Sequence, residues 1–469
     1  MERVAVLDVG SSSIRASIVD ETFSITASLS ATLQVMRDGT ANVTFDPMEL
    51  LTTASTLLEK LSKAGSYDRI AITNQRASAV AFTRNRVQAV GPGISWEDLR
   101  TASQCLALAQ RGATFAPNQS ATKFTWLINE FDSEYPDLMV GTIDTWLAFG
   151  LSQGASLATD ATNAAMTGLV DTSGRQWDLA QLELLNLTPN RLAPIVDVVT
   201  DRGTYLSPHG PVPITVTIAD QQASLAGQRP RAKVTLGTSA VADIELDERR
   251  PRFVRRGPSG TFPIVTDGSG GQATFGIEAF WMNAGSAIAW LERNGLLASA
   301  TEAEAIAQRA ERYAIPTVIP AHSGIGAPVW DFGGRCVIGD LVPDAGQPEI
   351  VHGFLLGIAC AAADLITAIA DDSRQSLSSI GLDGKVGTNA IVNSALASLT
   401  SAPVIASPTA EATTLGAARL ALGRAKDTLP TGTVIEPGDR DFARAYHERY
   451  HEHMELAKEA LPALSKVSF

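Results

Sequence analysis

Four short segments set reactive or anion-holding residues where the chain must turn sharply. In Leu7-Asp8-Val9-Gly10-Ser11-Ser12-Ser13-Ile14-Arg15 a carboxylate leaves an apolar run and enters a turn of glycine and hydroxyls. A carboxylate beside several backbone N–H groups can hold a divalent metal together with the phosphate it neutralises, although Asp-x-Gly-Ser also marks ordinary turns. Ile218-Ala219-Asp220-Gln221-Gln222-Ala223 sets a second acid at the end of the β-type run 212–218 and the start of a helical stretch. There it can take a proton from a hydroxyl or act as a helix N-cap. Leu236-Gly237-Thr238-Ser239 is a second phosphate-facing turn or a plain hairpin. Leu382-Asp383-Gly384-Lys385-Val386-Gly387-Thr388-Asn389 puts glycines ahead of a helix from Ala390, which can turn amides toward an anion. No GxxxxGK[ST] occurs, so a P-loop is excluded.

The elements that position these turns read as α/β, with short β-rich runs alternating with longer helical ones. Residues 4–7 and 14–19 form a strand pair around the 10–13 turn. A helix spans 47–64, with Asp46 as N-cap and Pro47 in its first turn. Residues 69–73 form a buried strand, 102–110 a helix, and 279–293 a further helical stretch. A second strand–turn–strand unit, 232–236 and 240–246 around Gly237, resembles the first and suggests two related lobes. Pro230, between Arg229 and Arg231, marks their boundary, giving 1–228 and 229–469, with an amphipathic helix at about 439–464 packing outside.

Composition narrows the partners. The 469 residues are 45% hydrophobic and 19% charged, enough to bury a full core, so disorder is excluded. A formal charge of −13 repels nucleic acid and anionic membranes while still allowing a local basic site for a small phosphate. Cys105, Cys336 and Cys360 are far apart and in no CxxC, which fits a reducing cytoplasm and neither disulfides nor structural zinc. The sequence as given opens without a signal-peptide pattern. The greasy run 353–370, interrupted by Asp364, reads as a buried helix and not a membrane span. His447, His451 and His453 read as solvated side chains of the terminal helix, without metal spacing to a carboxylate cluster.

The order of these features resembles the FGGY carbohydrate kinases of the actin-like ATPase superfold, with the glycerol kinases as the nearest pattern within them. The resemblance runs along nearly the whole chain. Besides the four segments it is carried by Ile72-Thr73-Asn74-Gln75-Arg76, Trp96-Glu97-Asp98, Lys123-Phe124-Thr125-Trp126-Leu127 and Gly141-Thr142-Ile143-Asp144-Thr145-Trp146-Leu147. Thr159-Asp160-Ala161-Thr162-Asn163-Ala164, Gly326-Ala327-Pro328-Val329-Trp330-Asp331 and Thr414-Leu415-Gly416-Ala417-Ala418 continue it. It implies two RNase H-like lobes with mixed sheets around a cleft, ATP and Mg²⁺ as cofactors, and phosphorylation of a small polyol or sugar. Dimers are common in the family, so a homodimer is an expectation. By the same resemblance Asp220 is the general base and Asp8 the acid that organises the metal. The turn Gly10, Ser11, Ser12, Ser13 with Arg15, and the turn Gly237 with Thr238, would face the phosphates. Gly285, Gly384, Lys385 and Asn389 would lie around the nucleotide. Arg76, Ala77, Trp96, Asn118, Gln221 and Val241 would line the acceptor pocket with Asp220.

Departures from the glycerol kinase pattern fall on that pocket. Ala77 stands where a Glu accepts acceptor hydroxyls, Asn118 where a Tyr touches the acceptor, and Val241 where a Phe flanks it. Losing an acceptor for a buried hydroxyl costs on the order of 1–3 kcal/mol. The pocket therefore suits a longer polyol or a ketose such as xylulose, with a weak glycerol kinase or a catalytically silent sugar sensor as the competing readings. Lys385 replaces a family glycine, and the short 202–211 segment argues against a sugar bisphosphate effector site.

Overall fold

The computed structural model describes residues 2–39, 41–113, 115–247, 250–409 and 411–459. Alternation of side chains builds the first sheet. In β1 (Arg3–Val9), Ala5, Leu7 and Val9 enter one core, while Val4 and Val6 enter another on the opposite face. Asp8 ends the Val4–Val6 row. Antiparallel β2 (Ser13–Asp20) and β3 (Ile25–Thr32) follow, joined to β1 through a turn in which the Gly10 N–H donates to the Ser13 carbonyl at 2.9 Å. α1 (Pro47–Ala64) covers the Leu7 face with Leu50, Ala54, Leu58 and Leu61. As expected, the Asp46 carboxylate caps it, accepting from the N–H groups of Met48 and Glu49. β4 (Arg69–Asn74) runs parallel to β1. Edge strand β5 (Thr204–Ser207) then precedes β6 (Gly210–Ala219), which is parallel to β4, completing the order β5-β6-β4-β1-β2-β3. α2 (Asp220–Ala226) starts directly from the end of β6.

The second sheet repeats that plan. β7 (Ala232–Leu236) and β8 (Ala240–Glu245) form an antiparallel hairpin, extended by β9 (Phe262–Ser269) and β10 (Gln272–Trp281). After α3 (Gly285–Arg293) and the long α4 (Gln347–Ser373), β11 (Ile380–Asp383) pairs parallel to β7. α5 (Ala390–Leu399), β12 (Val404–Ala406), α6 (Ala412–Ala421), β13 (Thr433–Val434) and α7 (Arg440–Glu459) follow, and the sheet order is β9-β10-β8-β7-β11-β12-β13. Thus β3-β2-β1-β4-β6 and β10-β8-β7-β11-β12 share one topology, three antiparallel strands followed by two parallel ones. This is the two-lobed α/β class anticipated from the sequence.

Two expectations need correction or trimming. Residues 279–281 are strand and not helix: Ala279, Phe280 and Trp281 continue β10 opposite Ala242, Val241 and Ala240, and the helix begins only at Gly285. Ladder pairing overrides the helix-compatible composition there. The terminal helix is described to Glu459, and residues 460–464 lie outside the described residues.

α4 is long and apolar enough to cross a membrane by composition, but 83% of its most apolar window is buried, where Val351, Phe354, Ile358 and Leu365 pack in the core of the second sheet. α6 belongs to the second half of the sequence yet packs on the first sheet. Leu415, Ala417, Ala418 and Ala421 meet Val4, Val6, Ala71, Val216 and Ile218. Where it crosses α2 the backbones touch. A Cβ on Gly416 would lie 1.8 Å from the Ala223 carbonyl, and one on Gly227 would lie 1.9 Å from that of Ala412.

Candidate active site

The three parallel strands of the first sheet end side by side, and their carboxyl ends carry the reactive groups. Asp8 on β1 is in register with Thr73 on β4, which is in register with Ile218 on β6, two residues before Asp220. Carboxyl ends of parallel strands are where an α/β sheet exposes its crevice. Burial raises the Asp8 carboxyl to about 7, Asp220 beside it adds to the rise, and Arg15 across the β1–β2 ladder opposes it. Burial likewise raises Asp220, against the pull of Arg76. The Asp8 carboxyl therefore feels the charge of Asp220. Asp220 is the first residue of α2 and its Oδ1 accepts from the Gln221 N–H at 2.8 Å, whereas the N-cap position is Ala219. The strand end is braced from behind. Thr162 Oγ1 accepts from the Ala219 N–H at 2.9 Å, and Asn163 exchanges side-chain hydrogen bonds with Asn74.

Facing this edge, the second lobe presents a row of charges. Lys233 on β7, Asp243 on β8 and Glu278 on β10 are consecutive register partners on one face, all of them buried. Lys233 pairs with Asp243 at 2.9 Å and its Nζ donates to Gln221 Oε1 at 2.8 Å. Arg76, from the first lobe, donates to both Glu278 oxygens at 2.6 and 2.9 Å, with its Nε 3.5 Å from Asp220. A bidentate Arg–carboxylate bond of this kind is among the strongest charge-assisted contacts. Burial pushes the Glu278 carboxyl up to about 8, Arg76 pulling it down and Asp243 adding to the rise. Burial disfavours the Arg76 charge, yet Glu278 more than restores it. The two lobes are thus joined through Asp220, Arg76, Glu278 and Lys233.

The glycine turns of the second lobe sit at the ends of its parallel strands. Gly237 follows β7, and the nearest atom to a Cβ placed on it is 4.0 Å away, so the turn faces open space. Its carbonyl accepts from the Gly285 N–H at 2.8 Å, and the Thr238 carbonyl accepts from the N–H groups of Ala284 and Ser286, each at 3.1 Å. The start of α3 therefore clamps the turn. Gly384, at φ +88°, lies against β7 so closely that a Cβ would meet the Leu236 carbonyl oxygen at 2.5 Å. Lys385 is exposed, and Asn389 caps α5 by accepting from the N–H groups of Ile391 and Val392. Asp383 Oδ2 accepts from Ser224 on α2 at 2.5 Å.

The sequence-derived residues distribute as follows. Asp8, Arg15, Arg76, Asp220 and Gln221 share the interlobe charge network, and Arg15 is ion-paired to Glu411 just before α6. Ala77 is buried with φ +61°, and Val241 is buried opposite Phe280. Ser78 holds the Trp96 N–H at 3.1 Å, fixing that ring's backbone beside Arg76 and Ala77. Asn118 is exposed. Ser11, Ser12 and Ser13 are at least partly exposed on the first turn. Sequence reasoning missed Lys233, Asp243, Glu278 and Glu411. The signal for the first three was present as charges inside otherwise apolar strands. Lys123 is fully buried beneath the site, donates to the Trp96 carbonyl at 3.2 Å, and burial lowers it to about 7.

Two sheets of matched topology, with acids at the strand ends of the first and glycine turns at the strand ends of the second, are the arrangement of a two-lobed kinase fold. Residues 4–227 match the N-terminal domain of the FGGY family of carbohydrate kinases, and residues 232–424 match its C-terminal domain. The glycerol kinase of Roseobacter denitrificans is 31% identical, the match covering 91% of each chain. Among solved structures, Plasmodium falciparum glycerol kinase with ADP superposes at a TM-score of 0.87, with 23% identity over 98% of this chain and 99% of that one. Xylulose kinase from Lactobacillus acidophilus gives 0.84, with 19% identity over all of both chains. The chain belongs to the FGGY family of carbohydrate kinases, and it is an ATP-dependent kinase of a small polyol or sugar.

Proposed function

We propose that residues 1–228 hold the acceptor, that residues 229–469 hold the nucleotide, and that Asp220 removes the proton from a terminal hydroxyl of the acceptor. The observation that carries this reading is the convergence of Asp8 and Asp220 on one edge of the first sheet, and the open Gly237 turn of the second sheet would face them. A carboxylate raised by burial is a better base than one in water, and Arg76 keeps it oriented while holding enough charge on it.

The residues present fit Mg²⁺ and ATP. Among the described residues the Asp8 carboxylate accepts no hydrogen bond, and the like charge of Asp220 outweighs the opposing pull of Arg15 on it, so its oxygens are available to a cation. Thr73 Oγ1 and Asp383 Oδ1 are buried without a partner among the described residues. Asp8 would hold the metal, which when bound neutralises charge on the transferring phosphoryl group. The Gly10–Ser13 turn with Arg15, and Gly237 with Thr238, would bind phosphates. Gly285, Gly384, Lys385 and Asn389 would border the nucleotide, with Lys385 reaching in from an exposed position. Positioning and exclusion of water supply most of the acceleration in such reactions.

The acceptor is a small polyol or ketose. The R. denitrificans and P. falciparum relatives are named for glycerol and the L. acidophilus structure for xylulose. The small side chains of Ala77 and Val241 would leave room beside Arg76, Trp96 and Gln221, and the exposed Asn118 would sit at the rim, which favours an acceptor longer than glycerol. A cytoplasmic location and a homodimer complete the reading. A coupled assay over glycerol, erythritol, xylitol, xylulose and ribulose tests it. Acceptor-dependent ADP release is expected, highest on one of the longer compounds. ADP release indifferent to every acceptor would refute it.

A further inference from the structure

The charge in the middle of α4 has no part in the kinase chemistry. Asp364 interrupts the most apolar helix of the chain and is only 14% exposed. A buried carboxylate costs several kcal/mol unless it is compensated. Its compensation comes from α7, where His447 and His451 are spaced i, i+4 and so share a helix face. Both aim Nε2 at the same oxygen, Asp364 Oδ1, at 2.8 and 3.3 Å, with the two rings 4.4 Å apart. This overturns the reading of these histidines as merely solvated.

We propose that Asp364, His447 and His451 form a binding site for one late first-row divalent ion, of which Zn²⁺ is the representative, bridging α7 to α4. Two imidazoles and one carboxylate are the donor set of such ions, whereas Mg²⁺ takes oxygen ligands, so this site is chemically distinct from the one at Asp8. Bonds of about 2.0–2.1 Å place neighbouring ligand atoms roughly 3 Å apart, and the three donor atoms here lie within 4.8 Å of one another with two separations already near that value. Binding needs little rearrangement: each imidazole coordinates as the neutral ring through its Nε2 lone pair, with the remaining proton on Nδ1 and any second proton released to solvent. His451 is 53% exposed, which opens the site to solvent and leaves further coordination positions for water. Beside the cluster, Tyr450 packs its ring 6.0 Å from His447 and 5.8 Å from His451. Its buried hydroxyl has no partner among the described residues.

The test uses the full chain in excess Mg²⁺ without nucleotide, so that hard-cation sites are filled. Calorimetry with Zn²⁺ should show one ion per chain, Co²⁺ should produce visible d–d absorption, and Zn²⁺ should raise the melting temperature. His451→Ala, at a half-exposed position whose truncation opens no core cavity, should weaken binding at least tenfold and remove the melting shift. Asp364→Asn and the His447→Ala/His451→Ala double variant should do the same. Absence of stoichiometric binding by the wild type, or binding and a melting shift undiminished in His451→Ala and in the double variant, would overturn the proposal.

Discussion

The two sheets share a strand plan but differ in what the carboxyl ends of their strands carry. In the first lobe the ends of β1 and β6 lead to acids, Asp8 and Asp220. In the second, the end of β7 leads to the open turn at Gly237, and β11 ends at Asp383 followed by Gly384. The glycine turns also differ between lobes. A Cβ on Gly10 would make an ordinary 3.5 Å contact with Ser13, whereas one on Gly384 would strike the β7 backbone. On the proposed assignment one copy of the plan would supply charge for proton transfer and metal holding, and the other bare backbone for close approach to phosphate. Topology alone fixes neither role; the residue at the strand end does.

The largest effect should come from Asp220→Asn. Turnover is expected to fall roughly a hundred- to ten-thousandfold, with the melting temperature unchanged or raised, because a raised carboxyl is relieved. A variant that keeps most of its turnover would remove the acid from the comparison. Next is Arg76→Ala, which leaves Glu278 and Asp220 without their shared cation. Breaking a buried pair costs about 3–5 kcal/mol, visible as a lower denaturation midpoint, and the acceptor KM should rise more than the ATP KM. Glu278→Gln should be milder in stability. In the second lobe, Gly384→Ala combines left-handed backbone strain of about 1–2 kcal/mol with the Leu236 clash, and should raise the ATP KM while sparing the acceptor KM. Gly10→Ala, by contrast, should melt close to the wild type.

The smallest expected effect is a pH signature. Asp8 is raised from 3.8 to about 7, so between those values the folded chain binds more protons than the unfolded one. Its contribution therefore makes stability fall as pH rises from about 4 to about 7, and Asp144, also raised to about 7 by burial, and Glu278 act with the same sign. Asp8→Asn should flatten part of that slope and stabilise the chain at neutral pH. In the wild type, kcat/KM for MgATP should climb through about pH 7 as the carboxylate ionises. A stability curve unchanged by Asp8→Asn would show that the acid is not held in the environment described above.

Much of this was legible beforehand because local signals agreed with the fold. Asp46 and Pro47 announce α1, and the apolar runs ending at Asp8, at Asp220 and before Gly237 mark strands whose ends matter. What escaped depends on register between distant strands. Lys233, Asp243 and Glu278 become one row only when β7, β8 and β10 pair, and no local pattern joins them to Arg76, which precedes Glu278 by 202 residues. Residues 279–281 were misread as helical because their composition suits either state and only the ladder with β8 decides. His447 and His451 did carry a visible spacing, but the carboxylate that gives it meaning lies on α4, 83 residues away.

The crossing of α2 and α6 has a consequence for any attempt to divide this protein. Because α6 comes late in the chain but lies on the early sheet, a fragment stopping near residue 228 would expose Val4, Val6, Ala71, Val216 and Ile218 to water, and would be expected to aggregate when made alone. Supplying the later half in trans should rescue its solubility only if that half can thread its small-residue helix back onto the bare surface. The enzyme is bilobal in shape, yet its halves are not separable parts.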